Sequence, residues 1–268
     1  MFSLLKIDLK RVLNDKLFLV LIILAVVFAV ITPLLYEMLF VLLEAEEFAG
    51  MMIDGKTIFF SSFSAGNNLG LIAPVLIMIV LCKDFSYGTI RNKIISGNKR
   101  AQIFVSLFIT CFVITWGIVL VQALLSLGVS LLFFEYQSTA FTSADFWYFI
   151  ISLVLQMLIW LFVCALMSFF CVFMKNAGLA VVMYVAVVLL MGIFGAIVQV
   201  AFMFADAADK ILYNVLEFLN GSNPFLNYIG FGTEYKLKEV LYMAIPCVLW
   251  TGLLLVLGAL AFNKKDLK

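Results

Sequence analysis

The sequence predicts an all-α membrane protein with six transmembrane helices, an N-terminal amphipathic interfacial helix and both termini on the cytoplasmic side. Of the 268 residues, 66% are hydrophobic and only 12% are charged, whereas soluble domains carry about 25% charged and 45–50% apolar residues. The mean hydropathy is +1.19. A soluble fold of this length could not hide that much apolar surface from water. Long charge-free runs and the placement of Lys and Arg complete the prediction.

The transmembrane helices are predicted from apolar runs, because a helix needs about 20 apolar residues to cross the hydrocarbon core. Six runs without a charged residue meet this need, in the order 17–36, 63–82, 101–134, 146–174, 177–205 and 240–262. Three of them exceed the required length, so we expect tilt, extension beyond the core or a broken re-entrant turn there. Residues 1–268 are therefore expected to form a single transmembrane domain.

The orientation follows from the connections between these runs, because Lys and Arg accumulate on the cytoplasmic side. If the N-terminus is cytoplasmic, the cytoplasmic segments hold 13 of the 17 Lys and Arg residues. Five of these lie in the connection 83–100 between the second and third runs. Segment 206–239 is then extracellular. Six spans with both ends in the cytoplasm are predicted.

The first sixteen residues are too polar to insert but have a helical pattern. Their apolar side chains share one face of a helix with a period of 3.6 residues, and these are Phe2, Leu5, Leu9, Val12 and Leu13. Such a helix lies in the inner headgroup layer with its Lys and Arg near anionic lipid. The alternative interpretation is a basic flank that only sets the orientation.

The connection 83–100 is longer than a turn between two spans requires. Tyr87, Ile90 and Ile94 are spaced as i, i+3 and i+7, which gives a short helix one apolar face. Gly97 can end such a helix in the left-handed conformation. A short helix of this kind suits docking into a groove on a partner protein. The alternative interpretation is a solvated interfacial loop.

Several chemistries are excluded or disfavoured by what the sequence lacks. It contains no His, the commonest metal ligand and general base, and no phosphate-binding G-x-x-x-x-G-K-[ST] motif. Its five Cys residues include no C-x-x-C pair, so they are interpreted as buried apolar residues. The net charge of +1 gives no attraction to nucleic acid. The chain is expected to be neither an enzyme nor a cofactor-binding protein.

A known family is similar to the connection 83–100. The pair Asp84-Phe85, then Gly88-Thr89-Ile90, and Lys99-Arg100 about ten residues later resemble the signature loop of the type-2 ABC exporter permeases. The amphipathic start resembles the elbow helix of that family. Segment 206–239 resembles its external segment between spans five and six. One difference is that many members carry Glu where this chain has Lys83-Asp84.

The resemblance implies one half of a permease, paired with a second permease subunit, identical or homologous, and with two separate ATPase subunits. ATP and Mg would be bound by the ATPase subunits and not by this chain. The resemblance implies an amphiphilic substrate that is moved outward or out of the bacterial cytoplasmic membrane. Similar six-span subunits serve in antimicrobial-peptide export or immunity, and others in drug or sodium efflux. The residues that would couple the ATPase to the permease are Asp84, Phe85, Tyr87, Gly88, Thr89, Ile90, Arg91 and Ile94.

The translocation path would be lined by uncharged polar or small residues, because no charged residue lies inside any run. The candidates are Asn67, Asn68, Thr115, Gln122, Gln156, Gly192, Gly195 and Gln199. The alternative interpretation is that they hold helices together by close approach and hydrogen bonds.

Two functions from other classes remain open. The chain could be a self-sufficient channel or secondary carrier, although ion-coupled carriers normally keep charges within their spans. It could also be a non-transporting membrane assembly or sensor subunit. The patterned connection 83–100 favours the exporter permease.

Overall fold

The structure, a computed structural model, describes residues 2–42, 54–66, 69–137, 141–174, 176–204, 210–225 and 236–264. The regular secondary structure of these residues is α-helical. Their ten helices are α1 (Phe2–Leu13), α2 (Lys16–Leu42), α3 (Gly55–Ser61), α4 (Leu69–Ser86), α5 (Thr89–Ile95), α6 (Arg100–Ser130), α7 (Ser143–Phe173), α8 (Ala177–Met203), α9 (Lys210–Gly221) and α10 (Leu237–Lys264).

Five helices of the described residues are long and apolar enough to cross a membrane, namely α2, α6, α7, α8 and α10. Helix α4 satisfies the same condition only together with α5, and a bend of 55° separates the two. The chain is therefore an all-helical, multi-pass membrane protein. The five long helices overlap the first, third, fourth, fifth and sixth predicted runs.

The second predicted run, 63–82, overlaps α4 only from Leu69 onward. Phe63 lies in a turn after α3, and α4 begins six residues later at Leu69. Ser64 lies close to the start of α4, since a Cβ atom on Gly70 would lie 1.9 Å from the backbone oxygen of Ser64. Hydropathy alone missed this turn, because the residues on both sides of it are apolar.

The helices pack around a centre formed by α6 and α7. Helix α2 packs along α6, and α10 packs along α7. Helix α4 contacts both central helices and also α2 and α8. Most of the exposed large apolar side chains lie on α2, α8 and α10, as expected for helices that face lipid tails.

Two short segments fill the end of the bundle opposite α5. In α3 and the turn after it, Phe59, Phe60 and Phe63 are buried, and the indole nitrogen of Trp160 donates to the carbonyl oxygen of Phe63 over 2.9 Å. After α9, the side-chain amide of Asn223 donates to the backbone oxygen of Met191 on α8 over 2.9 Å. The connection predicted as an external segment therefore contains a helix and a buried turn.

Candidate functional site

The connection between α4 and α6 folds as a bent pair of helices because two glycines allow sharp turns. Gly88 has a φ of +68° and Gly97 a φ of +88°. Both lie in the left-handed region that L side chains disfavour. The first turn starts α5 and the second ends it. The hydroxyl of Thr89 donates to a carboxylate oxygen of Asp84 and fixes the bend between α4 and α5.

Part of this connection is turned toward solvent. Tyr87 is 75% exposed and Ile95 is 74% exposed. Gly88 and Arg91 are exposed beside them. We call Tyr87, Gly88, Arg91 and Ile95 the docking surface. It combines two large apolar side chains with one cation, a composition that suits a protein partner better than bulk water.

The other predicted coupling residues point into the protein. Asp84 and Ile90 are buried, and Phe85, Thr89 and Ile94 are half-buried. Tyr87, Ile90 and Ile94 therefore do not form one docking face, because Ile90 and Ile94 pack within the chain. Ile90 belongs to a small apolar cluster that also contains Leu4, Ile103, Phe104, Val172 and Phe262.

Four charged side chains meet behind the docking surface, and we call Asp8, Arg11, Asp84 and Lys93 the ion cluster. The Nζ atom of Lys93 lies 2.6 Å from Oδ1 of Asp8 and 2.9 Å from Oδ2 of Asp84. Arg11 forms an ion pair with the other oxygen of Asp84. The hydroxyl of Ser106 donates to Asp8 over 2.7 Å. The ion cluster thus joins α1, α4, α5 and α6.

The ion cluster is electrically balanced, and three of its side chains are nearly shielded from solvent, whereas that of Arg11 is 31% exposed. The exposed fractions of the side chains are 4% for Asp8, 2% for Asp84 and 13% for Lys93. Burial lowers the pKa of Lys93, whereas its hydrogen bond to Asp8 raises it. Burial also lowers the pKa of Arg11. Because two acids face two bases, each charge keeps a partner, and removal of one leaves another buried without compensation.

A second ion pair lies at the edge of the same region. The Nζ atom of Lys83 on α4 lies 2.6 Å from Oδ2 of Asp15, which follows α1. The other oxygen of Asp15 accepts from the backbone amide of Leu17 over 3.0 Å. Burial alone would raise the pKa of Asp15, but these hydrogen bonds and the charges of Lys83 and Arg11 outweigh it and lower the pKa.

The start of α6 is tied to the end of α10. A guanidinium nitrogen of Arg100 donates to the backbone oxygen of Asn263 over 2.8 Å. Carbonyl groups at the C-terminus of a helix have no partner within the helix, and a cation there is favourable. The connection is thus held at Asp84, Lys93 and Arg100.

The sequence pointed to Asp84 but missed its ionic partners Arg11 and Lys93. It also missed Asp8, which shares Lys93 with Asp84, and Ser106, which donates to Asp8.

The apolar residues predicted on one face of α1 differ in burial, since Val12 is buried, Leu5 and Leu9 are half-buried and Leu13 is 51% exposed. The face packed on the protein contains Leu4, Asp8 and Val12, all buried and spaced by four residues. An acid between two apolar residues at a spacing of four was the sequence signal that could have indicated this packed face. Tertiary contacts with α6 override the amphipathic pattern.

The described candidates for the translocation path lie on α6, α7 and α8. Thr115, Gln122 and Gln156 are buried in the bundle, and the hydroxyl of Thr115 donates to the backbone oxygen of Cys111 over 2.7 Å. On α8, Gly195 is buried, whereas Gly192 and Gln199 are half-buried. Asn67 and Asn68 lie outside the described residues.

Two of these side chains have an amide atom that forms no hydrogen bond with the described residues. Oε1 of Gln122 and Nε2 of Gln156 are buried and have no hydrogen-bond partner within the part of the chain that the structure describes. Buried amide groups normally find partners, so these two atoms mark positions where the packed bundle leaves hydrogen bonds unmade.

The described residues also contain no group of three or more His, Cys, Asp or Glu that could hold a metal ion. The chain matches no protein-family model, and comparison with curated proteins and with solved structures gives no match either.

Proposed function

We propose that the chain is the permease subunit of an ATP-binding-cassette exporter that works with two separate ATPase subunits and a second permease subunit. ATP and Mg are bound by the ATPase subunits. The observation that supports this most is the construction of the connection between α4 and α6. It presents the docking surface outward, and the ion cluster holds it from behind to α1 and α6.

A connection that only joins two spans needs neither feature. Exposed Tyr87 and Ile95 lose contact with water when a partner covers them, which favours docking. A buried ion cluster resists separation of its members, since each separation leaves an unpaired charge. A force applied to α5 by a docked protein would then reach α1 and α6 rather than bend the connection alone.

The proposed topology has six spans, with α4 as the second, and places both termini, α1 and α5 in the cytoplasm of a bacterial cell. The distribution of Lys and Arg supports this orientation. The test labels single introduced cysteines with a membrane-impermeant maleimide in intact cells. One cysteine replaces Lys99, beside α5, and the other replaces Ile211, on α9. Labelling of Ile211→Cys but not Lys99→Cys is expected, and the reverse pattern would overturn the orientation.

In the proposed mechanism, ATP binding closes the ATPase pair and moves α5 through the docking surface. The ion cluster passes this movement to α1 and α6, and the bundle alternates between inward-open and outward-open arrangements. The substrate is an amphiphilic molecule, a peptide or a drug. Apolar spans with uncharged amides support this class, and the unpaired atoms of Gln122 and Gln156 would be available to it when α6 and α7 separate.

The experiment is purification of the tagged chain from native membranes in a mild detergent, with mass spectrometry of the accompanying proteins. We expect a stoichiometric ATPase with the wild-type chain, and its loss with the double variant Tyr87→Ala and Arg91→Glu. The matched control is Leu237→Ala, because Leu237 is 75% exposed at the opposite end of the bundle. A homo-oligomer without an ATPase, even after cross-linking, would overturn the proposal and favour a self-sufficient channel or carrier.

A further inference from the structure

An apolar groove of about 500 Å³ lies where α1, α2 and α6 meet. Its lining consists only of apolar residues, among them Leu9 and Leu13 of α1, Phe18 and Ile22 of α2, and Gly117 and Val121 of α6. Leu13, Ile22 and Val121 are each about half exposed. The groove is thus open on the outside of the bundle and is separate from the docking surface.

The charges at the α1 end of this groove are arranged for an anionic ligand. On a helix with 100° per residue, Lys6 and Lys10 both lie on one side of Leu9 and Leu13, within about 80° of their mean direction, and both lysines are exposed. Lys16 is exposed at the start of α2, two residues before Phe18.

The acids of this region do not neutralise these lysines. Asp8 is paired with Lys93, and Asp15 is paired with Lys83. The fully exposed charges of residues 2–18 are consequently positive, beside a wholly apolar groove. A ligand that matches both parts has a negatively charged head and a hydrocarbon tail.

We propose that this groove binds an anionic phospholipid, with one acyl chain between α1, α2 and α6 and its phosphate near Lys6, Lys10 and Lys16. Helix α1 then has two partners. Its Asp8 and Arg11 belong to the ion cluster, and its Leu9 and Leu13 contact the acyl chain. The bound lipid therefore holds α1 in the position that the ion cluster requires. This site does not depend on the proposed exporter function.

The test uses the full-length protein in a neutral detergent, with phosphatidylglycerol and phosphatidylcholine as probes and native mass spectrometry as the readout. Wild-type protein is expected to retain phosphatidylglycerol in preference to phosphatidylcholine. Replacing Lys6, Lys10 and Lys16 with Gln should weaken phosphatidylglycerol binding by about a hundredfold, since each cation near a membrane surface contributes roughly a factor of five. Equal retention of the two lipids by the wild-type protein would overturn the proposal.

The groove itself is tested by Gly117→Leu. An added Cβ at Gly117 meets no atom within 4 Å, so the new side chain can enter the groove without a clash with the protein. Gly128→Leu is the matched control, because Gly128 lies on the same helix outside the groove and has equally open space. We expect only Gly117→Leu to lose phosphatidylglycerol.

Two results of these variants would overturn the proposal. One is unchanged phosphatidylglycerol retention by Gly117→Leu. The other is a disulfide-linked dimer of Val121→Cys in native membranes, which would show that a second copy of the chain covers the groove. The lipid measurements need no ATPase, so their failure is distinguishable from failure of the proposed transport function.

Discussion

Lys93 and Asp8 are 85 residues apart in the sequence, yet the ammonium nitrogen of Lys93 lies 2.6 Å from a carboxylate oxygen of Asp8. The same nitrogen lies 2.9 Å from Asp84. One side chain of α5 therefore bridges the N-terminal helix and the end of α4. A movement of α5 cannot leave α1 in place without separating buried charges.

The first prediction concerns this bridge. Lys93→Met removes the cation that Asp8 and Asp84 share, and we expect a loss of about 3 kcal/mol in the free energy of unfolding, because a buried charge loses its partner. Denaturant unfolding in detergent measures this loss. The double variant Asp8→Asn and Lys93→Met should regain part of it, since the unpaired acid is gone. Lys99→Met, at an exposed position, is the control. Equal stability of Lys93→Met and Lys99→Met would contradict the prediction.

The second prediction concerns pH. The folded state lowers the pKa of Asp15, so its stabilising contribution is fully present above the unfolded pKa of about 4 and is lost as the pH falls through the lower folded pKa. The melting temperature of the wild type should exceed that of Asp15→Asn by a constant amount from about pH 7 to pH 5. The difference should shrink below about pH 4. A difference that grows on acidification would show the wrong sign.

The third prediction concerns the turn into α5. Thr89→Val keeps the shape of the side chain but removes the hydroxyl that donates to Asp84. We expect the variant to insert and to bind the ATPase, with transport and substrate-stimulated ATPase activity reduced about tenfold, because the lost bond is worth about 1.5 kcal/mol. Ser96→Ala, in the same connection and exposed, should leave both activities unchanged. Full activity of Thr89→Val would argue against a coupling role for the bend.

The fourth prediction concerns Gly70 and Gly192. An added Cβ on Gly70 would lie 1.9 Å from the backbone oxygen of Ser64, whereas an added Cβ on Gly192 meets nothing within 4 Å. Gly70→Ala should therefore reduce the yield of monodisperse protein strongly, and Gly192→Ala should not. Fluorescence-detected size-exclusion chromatography of tagged variants measures the yield. Wild-type behaviour of Gly70→Ala would mean that the turn before α4 differs from the one described.

The sequence was sufficient for the long helices because their apolar runs have the length of a bilayer. It was insufficient between Gly55 and Gly70, where apolar residues belong to a buried short helix and a turn rather than to a span. Hydropathy does not distinguish a buried short helix and turn from a membrane span. The close approach of Gly70 to Ser64 is a tertiary contact that no periodicity reveals.

The candidate site was also predicted only in part, because its short helix follows from the sequence whereas its ion pairs are tertiary contacts. The spacing of Tyr87, Ile90 and Ile94 indicated a short helix, and Gly97 was predicted to end it in the left-handed conformation. The same conformation at Gly88, where the helix starts, was not predicted. The partners of Asp84 come from α1 and α5, and only the folded chain brings Arg11 and Lys93 together. The amphipathic pattern of α1 also puts Asp8 on the polar side of the helix, although its side chain is buried.

The most direct test of the central claim is photo-cross-linking from the docking surface in native membranes. A photoreactive amino acid replaces Ile95, which is 74% exposed, and in a separate variant it replaces Ile211, which is 79% exposed on α9. Adducts are identified by mass spectrometry. We expect an adduct with an ATP-binding ATPase from position 95 and none from position 211. Absence of an ATPase adduct from position 95, in membranes that contain the chain's natural partners, would contradict the claim.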